Sequence, residues 1–203
     1  MQALSKIWDI MVLNVLFVVC SLPVFTIGAS LTALYSVTLK MARNEEGYIA
    51  AAFFKSWKEN FKISTASWLG LAAVGAVILL DFRLIPELFP ESAPLLRGIL
   101  VTLLVLYLSV LLVIFPYIAR FDNILRDTVK NAFLIGVLNL PKLAVIAVVY
   151  ALPVLLTVIC GIQYMIPGWL LFFFSAAARG SSVVFRKIFD QYETAKDPAK
   201  TIG

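Results

Sequence analysis

The sequence predicts an all-α polytopic transmembrane helix bundle. It has about five spans, six under one alternative, and two cytoplasmic amphipathic helices. Three observations predict it. Hydrophobic residues make up 62% of the chain and charged residues 14%, against roughly 45–50% and about 25% in soluble domains. Four runs carry no charged residue at all: Ile10 to Leu39, Ile63 to Leu80, Gly98 to Ala119 and Leu143 to Ala178. A helix of about 20 apolar residues crosses the hydrocarbon of a bilayer. The lysines and arginines, finally, are gathered in particular connections.

The first run, 10–39, is thirty residues long, about 45 Å as helix. One crossing broken near 23–28, at Pro23 and Gly28, is the preferred reading, with Met1 outside. The alternative is a hairpin, which gives six spans and a cytoplasmic N-terminus. The next spans are about 63–80 and 98–119. The last run begins after Lys142 and ends before Arg179, so it crosses an even number of times, about 143–161 and 163–179. Gly161 and Pro167-Gly168 form its outer turn. Residues 180–203 read as a cytoplasmic tail, and the whole chain as a single membrane domain.

Orientation follows from charge. Lys40, Arg43, Lys55, Lys58 and Lys62 follow the first run, and Arg120, Arg126, Lys130 and Lys142 the third. Arg186, Lys187, Lys196 and Lys200 lie in the tail. The 81–97 connection holds only Arg83 and Arg97, against Asp81, Glu87 and Glu91. The positive-inside bias puts the three basic groups and the C-terminus in the cytoplasm. The net charge of +5 is thereby accounted for without nucleic acid. No cleavable secretory signal is expected, because the first apolar run is too long for one.

Two connections have helical amphipathic period. In the first, Ile49, Phe53, Phe54, Trp57 and Phe61 are apolar beside Lys55, Lys58 and Glu59. In the second, Val129, Ala132, Phe133 and Gly136 stand opposite Arg126, Asp127 and Lys130. These helices either lie in the headgroup plane or dock a cytosolic partner, with Phe53, Phe54, Trp57, Phe61, Arg126 and Lys130 as the docking candidates. Each follows an Ala-Arg pair, Ala42-Arg43 or Ala119-Arg120. Lys58-Glu59-Asn60-Phe61 is also similar to Lys130-Asn131-Ala132-Phe133. This suggests a duplicated unit of span, amphipathic helix and span, in parallel orientation.

Polar residues inside the spans mark a second candidate site. Asn14, Ser21, Pro23, Thr26 and Gly28 surround the break in the first run. They read either as helix contacts or as the wall of a polar path beside a broken helix. Ala66 with Gly70, and Ala72 with Ala76, read as helix contacts at four-residue spacing.

No enzymatic activity, cofactor or metal site is expected. The chain has no histidine, the commonest general base and metal ligand. Cys20 and Cys160 are isolated in apolar runs, and no phosphate-cradling GxxxxGK[ST] occurs.

The blocks Asn14-Val15-Leu16, Ser21-Leu22-Pro23-Val24-Phe25-Thr26-Ile27-Gly28-Ala29 and Thr32-Ala33-Leu34-Tyr35 resemble the signature of the YesL-like bacterial membrane proteins. So do the stretch from Phe53 to Lys62 and the stretch from Arg126 to Phe133 followed by Leu140-Pro141-Lys142. The resemblance implies a multi-pass protein of the bacterial cell membrane with no assigned biochemical role. It also implies a genomic setting beside carbohydrate ABC importers, and hence an accessory role with their permease or ATPase subunits. It supplies no site residues. The competing expectations are a stand-alone small-solute permease or channel, which would need to be a homo-oligomer, and a membrane regulator or assembly factor.

Leu71→Arg or Val105→Arg should impair insertion, because a charge at mid-span costs about 2.5–3.5 kcal/mol on insertion scales. The yield of each variant in the membrane fraction is the measurement. Undiminished yield for both would remove these two spans.

Overall fold

The computed structural model describes residues 2–45, 47–90 and 92–196. The helices are α1 (Gln2–Cys20), α2 (Ile27–Ala42), α3 (Ile49–Glu59), α4 (Phe61–Leu88), α5 (Ala93–Ile118), α6 (Leu125–Leu138), α7 (Leu140–Cys160), α8 (Ile162–Gly168) and α9 (Phe174–Lys196). A 3₁₀ turn, Val24–Thr26, leads into α2, and a π-helical segment, Trp169–Phe173, joins α8 to α9. Five helical segments are long and apolar enough to cross a membrane: Val24–Ala42, Phe61–Leu88, Pro94–Ile118, Leu140–Cys160 and Ile162–Glu193. The chain is a multi-pass membrane protein.

The run from Ile10 to Leu39 is not one bent helix. Trp8, Asp9 and Val12 of α1 share a surface cavity with Gly47, Tyr48 and Ile49, just beyond α2. A continuous helix from 8 to 42 would hold its ends about 51 Å apart. The chain instead folds back at Ser21–Pro23, so α1 and α2 form a hairpin and the start of α1 lies beside α3. The physical reason is Pro23, whose extended φ and ψ and missing N–H stop the helix. Thr26 then holds the turn closed: its hydroxyl lies 2.6 Å from the carbonyls of both Cys20 and Pro23.

Two further hairpins follow. Tyr107 donates to the Leu71 carbonyl at 3.1 Å and clasps α4 to α5. The third joins α7 to α9. It turns at Gly161, whose φ of +90° favours glycine, while Pro167-Gly168 lies within helix. Asn139 Nδ2 bonds Tyr192 at the base of this hairpin, and Lys142 bonds Gln191. Residues 180–196 are therefore not a tail. Ser181, Ser182, Phe185, Ile188 and Phe189 are buried at helical spacing along α9. Residues 197–203 of the expected tail lie outside the described residues.

Helices α2, α5 and α9 form the inner layer and run in one direction. Tyr35 reaches Ser181, Thr38 reaches Ser182 and the Ala42 carbonyl reaches Arg186, so α2 and α9 are parallel. Helix α4 is antiparallel to α2, pairing Thr32 with Ser64 and Val24 with Trp68. Helices α1, α4 and α7 are outer partners. Much of α4 and α7 is exposed and aliphatic, including Val74, Val77, Val148 and Leu155, as a lipid-facing surface requires.

The duplication is present, but its register differs from the expected one. Buried Ile49, Phe53, Ser56, Ser64 and Ser67 recur 79 residues later as buried Thr128, Ala132, Ile135, Leu143 and Ile146. Asn60 and Asn139 separate the amphipathic helix from the span in each copy. Each sends its side-chain amide back four residues, to the Ser56 carbonyl at 3.1 Å and the Ile135 carbonyl at 3.0 Å. The Lys-Asn likeness was misleading because the alignment is carried by burial and by these two asparagines.

The small residues of α4 also differ from expectation. Ala66, Gly70, Ala72 and Ala76 are exposed, and a Cβ on Gly70 would meet nothing within 4 Å. The close approach is at Gly28, where an added Cβ would sit 2.4 Å from the Ser64 carbonyl oxygen. Gly28→Leu should therefore lower thermal stability in detergent by the 1–3 kcal/mol typical of overpacking. Gly70→Leu, a matched control, should not. Equal effects in a melting experiment would refute this packing.

Candidate functional site

The sequence nominates two sites, a polar break and a pair of docking helices. At the break, Asn14 of α1 is fully buried. Its amide donates to the carbonyls of Trp169 at 2.9 Å and Leu170 at 2.8 Å, and its Oδ1 accepts from the Ser175 backbone N–H at 2.9 Å. These groups flank the π-helical segment, where the change of hydrogen-bond spacing displaces backbone groups from their usual partners. Asn14 thus repairs a foreign backbone rather than lining a path.

Thr26 closes the hairpin turn, Pro23 is exposed at it, and the Ser21 hydroxyl oxygen is buried without a hydrogen-bond partner. Gly28 is not part of the break. It is helical and buried within α2, where its missing side chain admits α4.

Below the break several hydroxyls bond to one another, while that of Ser30 is buried without a partner. Thr32 meets Ser64 at 2.8 Å, Thr38 meets Ser182 at 2.8 Å, and the Tyr35 hydroxyl bonds those of Tyr150 and Ser181. Their donors are used inside the bundle and cross-link α2 to α4, α7 and α9.

At the basic end the three inner helices meet in an ion cluster. Arg120, just past α5, has a side chain only 6% exposed. Its Nε donates to Glu193 Oε1 at 2.8 Å and its Nη2 to Glu193 Oε2 at 2.6 Å, a two-pronged pairing. Nη2 also reaches Asp190 Oδ1 at 2.7 Å. Arg43, the equivalent residue past α2, lies 3.6 Å from the same Asp190 oxygen, and Arg186 Nε lies 4.0 Å from Asp190 Oδ2. Both Ala-Arg pairs of the duplicated unit therefore converge on α9. The sequence marks these arginines as topology signals, and Arg43 and Arg120 also as members of two like Ala-Arg pairs, but does not single out Asp190 and Glu193. The available signal was the apolar spacing of 181–189, which makes 190 and 193 one face of a continuing helix.

The docking candidates separate. Phe53 is 0% exposed and belongs to the core, so it cannot meet a partner: it points inward, where α3 packs on α2. Trp57 and Phe61 are half-buried with their rings 4.8 Å apart. Phe54, Arg126 and Lys130 are exposed. Two short helices therefore present outer faces at the basic end: Phe54, Lys55 and Lys58 on α3, and Arg126, Lys130 and Phe133 on α6. Among the described residues, no group of three or more histidines, cysteines or acids could hold a metal ion.

The hairpin, α3 and most of α4 coincide with a recognised sequence family. Residues 10–82 match the family described as "Protein of unknown function, DUF624". The chain is also 25% identical over 158 residues to the "Uncharacterized protein YesL" of Bacillus subtilis (strain 168), an alignment covering 76% of this chain and 73% of that protein. The chain is similar to YesL over most of its length. No solved structure is a significant match. The family match begins at Ile10 in α1 and ends at Phe82 in α4. It thus takes in the first hairpin, with Asn14 and Gly28, and the first copy of the duplicated unit.

Asn14→Leu should destabilise the fold sharply, since each buried backbone group left unpaired costs about 1–3 kcal/mol. Thermal unfolding in detergent is the measurement. A melting temperature unchanged from wild type would show that these bonds do not hold α1 to the last hairpin.

Proposed function

We propose that this protein is a non-enzymatic accessory subunit of a bacterial carbohydrate ABC uptake system, docking at the cytoplasmic face through α3 and α6. The observation that carries the docking part is the pair of equivalent short helices at the basic end. Each is fixed to the bundle by one buried face and has its other face exposed. The carbohydrate importer context rests on the resemblance of the three sequence blocks to YesL-like proteins.

The reading includes a topology. The hairpin α1–α2 returns the N-terminus to the side of α3, so we place both termini in the cytoplasm of a bacterial cell membrane, with α1 as a sixth inserted helix. The basic connections support this side. The hydroxyls of Thr32, Ser64, Tyr35, Tyr150, Thr38, Ser181 and Ser182 bond inside the bundle, which gives a solute path through them little support.

Affinity purification of the full chain from native membranes in mild detergent tests the reading. Permease or ATPase subunits of an importer should co-purify, and Phe54→Asp combined with Lys130→Glu should release them while leaving membrane yield unchanged. Recovery of the chain with no importer component would overturn the proposal.

A further inference from the structure

A groove opens sideways between α4, α5 and α6, on the flank of the bundle away from the first hairpin. Its volume is about 590 Å³, within the range of ligand pockets. Val74 and Val77 of α4, Leu103 and Tyr107 of α5, and Phe133 of α6 line it, and Asp81 of α4 also borders it. Apart from Asp81 the lining is aliphatic and aromatic. The one hydroxyl, on Tyr107, already bonds the Leu71 carbonyl at 3.1 Å.

Water in such a groove would lack the two to four polar partners that hold an ordered molecule. An empty groove would forfeit dispersion contacts along its whole lining. The surrounding faces of α4 and α5 are exposed and aliphatic, including Leu69, Leu79, Val101 and Leu108. The medium in contact with the groove is therefore lipid chain.

Asp81 narrows the choice of occupant. It lies 19 residues past Lys62, about 28 Å along α4, close to one hydrocarbon thickness. It stands at the end of the groove away from the basic rim, at the level where headgroups of that leaflet begin. Asp81 is half-buried as a residue, and its carboxylate has no ion pair or hydrogen bond among the described residues. An unpaired carboxylate in a partly apolar setting favours a cation, since burial of a lone charge is costly.

We propose that this groove binds one alkyl chain of an amphiphile whose ammonium headgroup pairs with Asp81, in the leaflet opposite the basic end. The site does not depend on the accessory-subunit reading. Two kinds of membrane lipid share this chemistry, phosphatidylethanolamine and aminoacylated phosphatidylglycerol. Phosphatidylglycerol itself has the chains without the cation.

The test uses the full chain in nanodiscs of defined mixtures, transferred to detergent, with retained lipid read by native mass spectrometry. One mixture pairs phosphatidylethanolamine with phosphatidylglycerol, and the other pairs aminoacylated phosphatidylglycerol with phosphatidylglycerol. The ammonium lipid should be retained about fivefold over its share in at least one mixture, a preference of about 1 kcal/mol, and the two mixtures identify the source. Asp81→Asn should abolish the preference while lipid is still retained. Val77→Trp, or Val74→Trp should the first variant not fold, should reduce retention of every lipid. Retention in bulk proportions in both mixtures would overturn the proposal. So would an unchanged preference in Asp81→Asn, or undiminished retention in a folded blocking variant.

Discussion

In hydrocarbon, every backbone N–H and C=O must find its partner inside the protein, and two of the places where this bundle departs from regular helix are met by named side chains. The first is the turn at Ser21–Pro23 and the second is the π-helical segment before α9. Thr26 answers the first locally. Asn14 answers the second from 155 residues away in sequence, using both ends of its amide. Because Asn14 belongs to the same hairpin that Thr26 closes, the two repairs support each other. A hairpin that opened would withdraw Asn14, and a regularised last helix would leave Asn14 itself buried without partners. The first and last hairpins thus meet through apolar contact, as between Phe17 and Phe174, and are held in register by polar chemistry, because apolar contact in lipid gives little specificity.

The ion cluster at the basic end is the second fixed point, and it obeys a different constraint. A guanidinium as enclosed as that of Arg120 needs a paired charge, and its Nε and Nη2 match the Glu193 carboxylate with two bonds, while Nη1 is buried without a partner. Lysine could not make the same pairing with Glu193 while also reaching Asp190. Asp190 is more exposed and is shared among Arg120, Arg43 and Arg186, so the ends of α2 and α5 are drawn to one point on α9. Between the two fixed points lies the hydroxyl network of Tyr35, Tyr150, Ser181, Thr38 and Ser182. It sets the register of α2 against α9 at intermediate levels.

Helical class and the positions of the long apolar helices were legible because lipid imposes a length and a composition that no soluble core demands. The fold-back at Pro23 was visible only as an alternative. Proline marks a break, and whether the break bends or reverses the chain depends on Thr26 and on where α3 packs. Gly28 and the small residues of α4 were misread for a related reason: spacing shows that a close approach is available, not which face receives it. Phe53 was misassigned because amphipathic period identifies an apolar face without saying whether it meets lipid, a partner or the helix before it. The α9 extension had a readable signal in 181–189, overshadowed by the charges that interrupt it.

The two copies of the duplicated unit have the same inward pattern and unlike outward ones, and this difference bears on function. On α3 the exposed positions are Ala50, Ala51, Phe54, Lys55, Lys58 and Glu59. The corresponding positions on α6 hold Val129, Lys130, Phe133, Leu134, Val137 and Leu138. Both helices occupy the same place relative to their own spans, yet their outer faces differ in chemistry. A face with two lysines and a glutamate is stable against water, headgroups or a polar partner. A face of valine, leucine and phenylalanine with a single lysine is stable against hydrocarbon or an apolar partner. The bundle therefore has two chemically distinct flanks at one end, and the apolar one, through Phe133, borders the groove between α4 and α5.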